Sequence, residues 1–118
     1  MIHITDSHRF SALTTPHCTA VVDLGLLAGN VRTLRQQVGR GVELMAVVKA
    51  DAYGLGAVPV AEVFLQEGTD LLAVACLPEA LELRRAFPRA PIWIMGHTPS
   101  QYLRAAYEAD CALTIFDL

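Results

Sequence analysis

The chain is 118 residues long, 53% hydrophobic and 18% charged, with a net charge of -3 at neutral pH. That balance suits one modest globular core, and its mild acidity argues against nucleic acid or an anionic membrane surface as partner. Its apolar segments are short and broken by Gly, Pro or charge, and none approaches the ~20 residues of a membrane span.

Residues 1–17 mix polar and apolar types without period, so an irregular arm is expected there, with the fold proper over 18–118. The first ten residues lack the basic start and apolar centre of a signal peptide, which implies a cytoplasmic protein. Three of the four histidines, His3, His8 and His17, fall in this arm, and with His97 they show no metal-ligand spacing. No metal is expected. Cys18, Cys76 and Cys111 are odd in number and widely spaced, which predicts buried, reduced thiols and no disulfide framework.

Thr19 to Leu24 is the first predicted strand. Leu24, Leu27, Val31, Leu34 and Val38 then recur at helical spacing, with Arg32, Arg35 and Gln36 outside and Gly39 and Gly41 closing the helix. Val42 to Lys49 is the second strand. Val58, Ala61 and Leu65 mark the next helix, with Pro59 near its first turn and Gly68 at its end. Leu71 to Cys76 is a third strand. Pro78 opens a helix that turns Ala80, Leu83 and Phe87 inward and Glu82, Arg84 and Arg85 outward, stopping before Pro88. Pro91 to Met95 is a fourth strand, Gly96-His97-Thr98-Pro99 its loop, Tyr102, Leu103 and Ala106 a further helix, and Cys111 to Phe116 a fifth strand. Such alternation is the pattern of a parallel sheet covered by helices. The phosphate fingerprint of a doubly wound sheet, Gly-x-Gly-x-x-Gly after the first strand, is absent.

One stretch carries chemistry. Met45 to Gly56 is an apolar run that ends in Lys49 and passes through Ala50-Asp51-Ala52-Tyr53 to Gly54 and Gly56. With period two, Lys49 shares a face with Val47 and Met45, and both faces are apolar, which puts the ammonium at the strand's C-terminal end above a core. Two readings meet there. A strand-end lysine can snorkel to water. A partly desolvated amine can instead be a nucleophile toward an aldehyde such as pyridoxal phosphate. The loop favours the second reading, because Gly54 and Gly56 let backbone approach an anion and the Tyr53 hydroxyl can reach a phosphate oxygen. Asp51 is better placed to hydrogen-bond backbone within the loop. His97, at a strand end, is read as a polar rim residue outside the site.

Ala46-Val47-Val48-Lys49-Ala50-Asp51-Ala52-Tyr53-Gly54-Leu55-Gly56 resembles the pyridoxal-phosphate attachment signature of alanine racemases, usually worded Lys-Ala-Asn-Ala-Tyr-Gly-His-Gly. Asp51 stands where asparagine is commonest and Leu55 where histidine is. Similarity extends over most of 19–118, through Asp23-Leu24, Asn30, Glu79-Ala80-Leu81-Glu82-Leu83-Arg84, Ile94 to Pro99 and Leu113 to Phe116, with His97 at a common tyrosine position. The resemblance implies an α/β fold of parallel βα repeats, the first half of a TIM (β/α)8 barrel. It implies pyridoxal 5'-phosphate as cofactor, held by Lys49 as Schiff-base residue and by Tyr53 at the phosphate, with Lys49 also the catalytic base for the D-enantiomer. Alanine is the implied substrate, D-alanine for the cell wall the implied product, and a homodimer the implied state of the full-length family. A barrel needs about 250 residues, and the family's second base, a partner-subunit tyrosine, and most of its phosphate cup come from later segments. An N-terminal fragment is therefore expected. Besides an alanine racemase, a cofactor-binding module without racemase activity and a remnant that neither folds alone nor binds cofactor stay open. The open strand edges of a half barrel also predict self-association.

Overall fold

Asp23 starts the first helix: its Oδ1 accepts from the amides of Gly25 at 2.9 Å and Leu26 at 3.1 Å, satisfying two of the donors a helix start leaves free. The computed structural model describes residues 2–4 and 19–116. Its elements are β1 (Ile2–Ile4), β2 (Ala20–Val22), α1 (Leu24–Val38), β3 (Met45–Val47), α2 (Ala57–Gln66), β4 (Leu71–Val74), α3 (Leu77–Ala86), β5 (Ile92–Ile94), α4 (Leu103–Glu108) and β6 (Cys111–Leu113). A left-handed turn, Lys49–Gly54, separates β3 from α2, and a 3-10 turn, Ser100–Tyr102, leads into α4.

β3, β4, β5 and β6 form one parallel sheet in sequence order, with Met45 opposite Leu71, Leu72 opposite Ile92 and Ile92 opposite Cys111. A doubly wound sheet reverses its strand order at a switch point. Here each strand is added on the same side as the last, which is the winding of a (β/α) barrel. Leu72, Val74 and Ile94 are wholly buried and cluster with Ala61, Ala80, Leu83 and Ala106 from the covering helices. The alanines let helix backbones lie close to the sheet. Leu72, Leu83 and Ile94 are worth about 1.5–3 kcal/mol each by burial.

Three sequence expectations need correction. The run 19–24 is not a strand of the parallel sheet: β2 pairs antiparallel with β1, in a separate two-stranded sheet. Only Val22 of β2 is buried, so it lacks the two-sided burial of a parallel-sheet strand. The strand Ile2–Ile4 also lies inside the arm read as irregular, the rest of which falls outside the described residues. Second, β3 ends at Val47, so Lys49 is not the last residue of a strand but opens the turn beyond it. Third, the thiols of Cys76 and Cys111 are free but only partly buried, while Cys18 lies outside the described residues. Among the described residues no helix is long and apolar enough to cross a membrane, and no group of three His, Cys, Asp or Glu could hold a metal ion.

Arg84 also departs from expectation. It is half-buried and donates to five carbonyls: Phe87 and Pro88 just after its own helix, Ala90 at 2.7 Å, and Ala109 at 2.8 Å and Asp110 at 2.9 Å after α4. Arg35, in the last turn of α1, does the same for another pair of helices. It donates to Gly39 and Val42 (2.6 Å) after α1, and to the Gly68 carbonyl and the Asp70 carboxylate after α2. A helix C-terminus leaves carbonyls free, and a planar guanidinium can meet several at once.

Candidate functional site

Strand β3 hands the chain to the turn through Val48, which is 1% exposed and still bonded to the sheet, its amide donating to the Ala73 carbonyl at 2.9 Å. Lys49 follows, half-buried. The next four residues, Ala50, Asp51, Ala52 and Tyr53, all have φ between 51° and 58° and ψ between 34° and 50°. They form a turn of left-handed helix built from non-glycine residues. Left-handed geometry costs an L-residue roughly 1–2 kcal/mol, so four of them store on the order of 4–8 kcal/mol. Strain of this kind persists only where surrounding structure over-determines it, and it gathers at functional sites.

Named bonds hold the turn. The Ala52 amide donates to the Val48 carbonyl at 3.0 Å, and the Gly56 amide to the Asp51 carbonyl at 2.9 Å. Asp51 Oδ1 accepts from the Ala57 amide at 2.6 Å, so its side chain caps the start of α2, the backbone role expected of it. An ionised carboxylate there also faces the positive end of the helix dipole. Gly54 at φ 84° and Gly56 at φ 93° carry the chain out of the turn in conformations that suit glycine. The Ala50 amide, first of the left-handed run, donates to Glu79 Oε1 at 2.9 Å, and Glu79 Oε2 accepts from the Ala75 amide at 2.8 Å.

The consequence is a raised amine on a rigid mount. A helical turn of either hand brings residue i+4 back over residue i, so the backbone of Tyr53, a residue that is 65% exposed, lies one turn on from Lys49. Lys49 is the sole lysine of the chain. It takes part in none of the ion pairs found among the described residues, Arg32–Glu67, Arg35–Asp70 and Arg104–Glu108. A primary amine and a phenol on one strained turn at the C-terminal rim of a parallel sheet form a donor set suited to an aldehyde that carries a phosphate. The His97 ring meets Phe116 edge-on at 6.1 Å and lines a 210 Å³ concavity with Thr98, Leu113 and Thr114. That concavity includes no residue of the left-handed turn.

Glu79 was not singled out as a site residue by sequence reasoning. Its signal was present: a glutamate at the third position of a helix opened by proline, where carboxylates reach back to free amides. What the pattern could not show is that one of those amides belongs to the turn behind Lys49, 29 residues earlier.

Residues 22–118 match the family model described as "Alanine racemase, N-terminal domain". Curated relatives include alanine racemases of Helicobacter pylori, 44% identical, and Desulforamulus reducens, 45% identical, each over 82% of this chain and 26% of its own length. Among solved structures, an alanine racemase from Bacillus anthracis crystallised with bound L-Ala-P is 46% identical with a TM-score of 0.79. It covers 81% of this chain, which in turn covers 25% of it. An alanine racemase from Streptomyces coelicolor is 40% identical with a TM-score of 0.75, over 82% and 26% respectively. The chain thus spans about a quarter of the length of the relatives it matches.

Proposed function

We propose that this chain, which belongs to the alanine racemase family through that family's N-terminal domain, holds pyridoxal phosphate on Lys49 and serves the interconversion of L- and D-alanine. The observation that supports the reading is the left-handed turn beyond β3, with Lys49 at its start and Tyr53 at its end. When bound, the cofactor makes an amino acid's α-proton acidic by drawing electron density into its ring.

The chain's own residues have three tasks. Lys49 would hold the cofactor through Nζ and, when not so engaged, that Nζ would take or return a proton at the substrate's α-carbon on one face. The Tyr53 hydroxyl would donate to the cofactor's phosphate. Asp51 and the two glycines keep the turn in the hand that presents both groups. Interconversion needs a proton removed from one face and delivered to the other, and Lys49 serves one face only.

Incubating the chain with pyridoxal phosphate and D-alanine in deuterium oxide tests this. The α-carbon should exchange its proton for deuterium faster than with free cofactor, toward the low end of the ~10²–10⁴-fold a positioned base contributes, with little L-alanine formed. Exchange that does not exceed the free-cofactor rate, or that persists in Lys49→Ala, would end the reading. Efficient interconversion by the chain alone would overturn the one-face assignment.

A further inference from the structure

We infer that Glu79 is a positioning residue for Lys49, acting through the backbone of the left-handed turn; this rests on the reading of Lys49 as the cofactor-binding amine. Its two carboxylate oxygens join two βα units: Oε2 accepts from Ala75 at the end of β4, and Oε1 from Ala50, the residue directly after Lys49. The carboxylate thus continues the hydrogen bonding between β3 and β4 past the point where the strands stop.

Ala75 is held from its other side as well. Its carbonyl accepts from the Gly96 amide at 3.1 Å, and a methyl group on Gly96 would run into that carbonyl oxygen, so the two backbones meet closely just beyond β4 and β5. Glu79 therefore bonds to a fixed point on one side and to a strained turn on the other. Ala50 begins the left-handed run, and its amide points to a carboxylate from a different unit instead of a carbonyl within its own turn. Glu79 forms none of the ion pairs found among the described residues, so its hold on Lys49 is conformational, not a charge pair with the amine.

A simple helix cap would predict something else. A glutamate at the third helical position ordinarily serves amides at its own helix start, and the Ala50 bond would then be dispensable. The bridge also requires a carboxylate, because both oxygens accept. Glutamine has one acceptor oxygen, and its amide nitrogen would face a backbone N–H.

The test uses Glu79→Gln, Glu79→Ala and, as an exposed neighbour on the same helix, Glu82→Gln. Two quantities are read on the 118-residue chain: the pyridoxal phosphate concentration giving half-maximal borohydride-trapped label on Lys49, and amide hydrogen exchange at Ala50 and Ala75. Both Glu79 variants should raise the half-maximal concentration about tenfold, the factor expected when a charge-assisted hydrogen bond behind a binding group is lost. Both should also speed exchange at Ala50 and Ala75, and Glu82→Gln should change neither quantity. Wild-type labelling in Glu79→Gln with Ala50 still protected would overturn the inference, as would an unprotected Ala50 amide in the parent chain. If the parent chain takes no label, the cofactor reading fails separately and exchange alone decides. Ala50 protection lost in Glu79→Gln then keeps the bridge, and protection retained removes it.

Discussion

The two rims of the sheet are held mainly by opposite charges, with the Asp70 carboxylate beside Arg35 an exception at the arginine rim. Where strands begin, Arg35 and Arg84 each gather carbonyls from the ends of two helices. Where strands end, Asp51 and Glu79 accept from backbone amides. The cause is one of direction, because a βα unit sends each helix back antiparallel to its strand. Free carbonyls and the negative dipole end therefore collect at the lower rim, and free amides and the positive end at the upper. A rim rich in amides also suits an anionic ligand. The left-handed turn lies at that rim, while the arginine rim lies at the face where barrels keep their stability.

If the lower rim serves stability alone, breaking it should unfold the chain without altering what Lys49 does when folded. Arg84→Ala strips a donor from five carbonyls, some of which water can reach. It should cost about 2–3 kcal/mol in a denaturant titration. Arg84→Lys should recover little of that, since an ammonium has no planar fork to span both loops. Lys49 labelling per folded molecule should stay at the parent value; a change would mean that the two rims are coupled.

A smaller effect sharpens the comparison through pH. Asp70 accepts from the Leu44 amide at 2.6 Å and from the Arg35 guanidinium, and in that order these hold its carboxyl below the ordinary value of 3.8. Folded Asp70 stays ionised at a pH where the unfolded side chain binds a proton. Its contribution is therefore fully present above the unfolded value and lost as pH falls through the folded one. The stability difference between the parent chain and Asp70→Asn, followed from about pH 6 to about pH 2, should shrink on the acid side. A difference independent of pH would remove Asp70 from the lower rim's account.

Most of the residues that make the upper rim could be read from their order, but its shape could not. Lys49, Tyr53 and the glycines are adjacent in sequence, and the helix starts around Pro59 and Pro78 carry local signals. Nothing local predicts that Ala50, Ala52 and Tyr53 take positive φ, because chirality disfavours it for each of them. The conformation depends on Asp51 and Glu79, whose partners lie 6 and 29 residues away. β2 was misplaced for a similar reason. Its apolar run fits any strand, and its partner, Ile2–Ile4, sits in a stretch without period. Arg84 follows a helix's outward spacing, and only the carbonyls of the neighbouring loop turn it inward.

The central claim is that the folded turn prepares the Lys49 amine for an aldehyde. Because Lys49 is the only lysine, one comparison tests it: phosphopyridoxyl label on the Lys49 peptide after borohydride treatment, in the native chain and in the same chain unfolded by urea. The native chain should reach half-maximal labelling at lower pyridoxal phosphate than the unfolded chain, and Lys49→Arg should leave label on the terminal amine alone. Equal labelling of Lys49 in both states would contradict the claim.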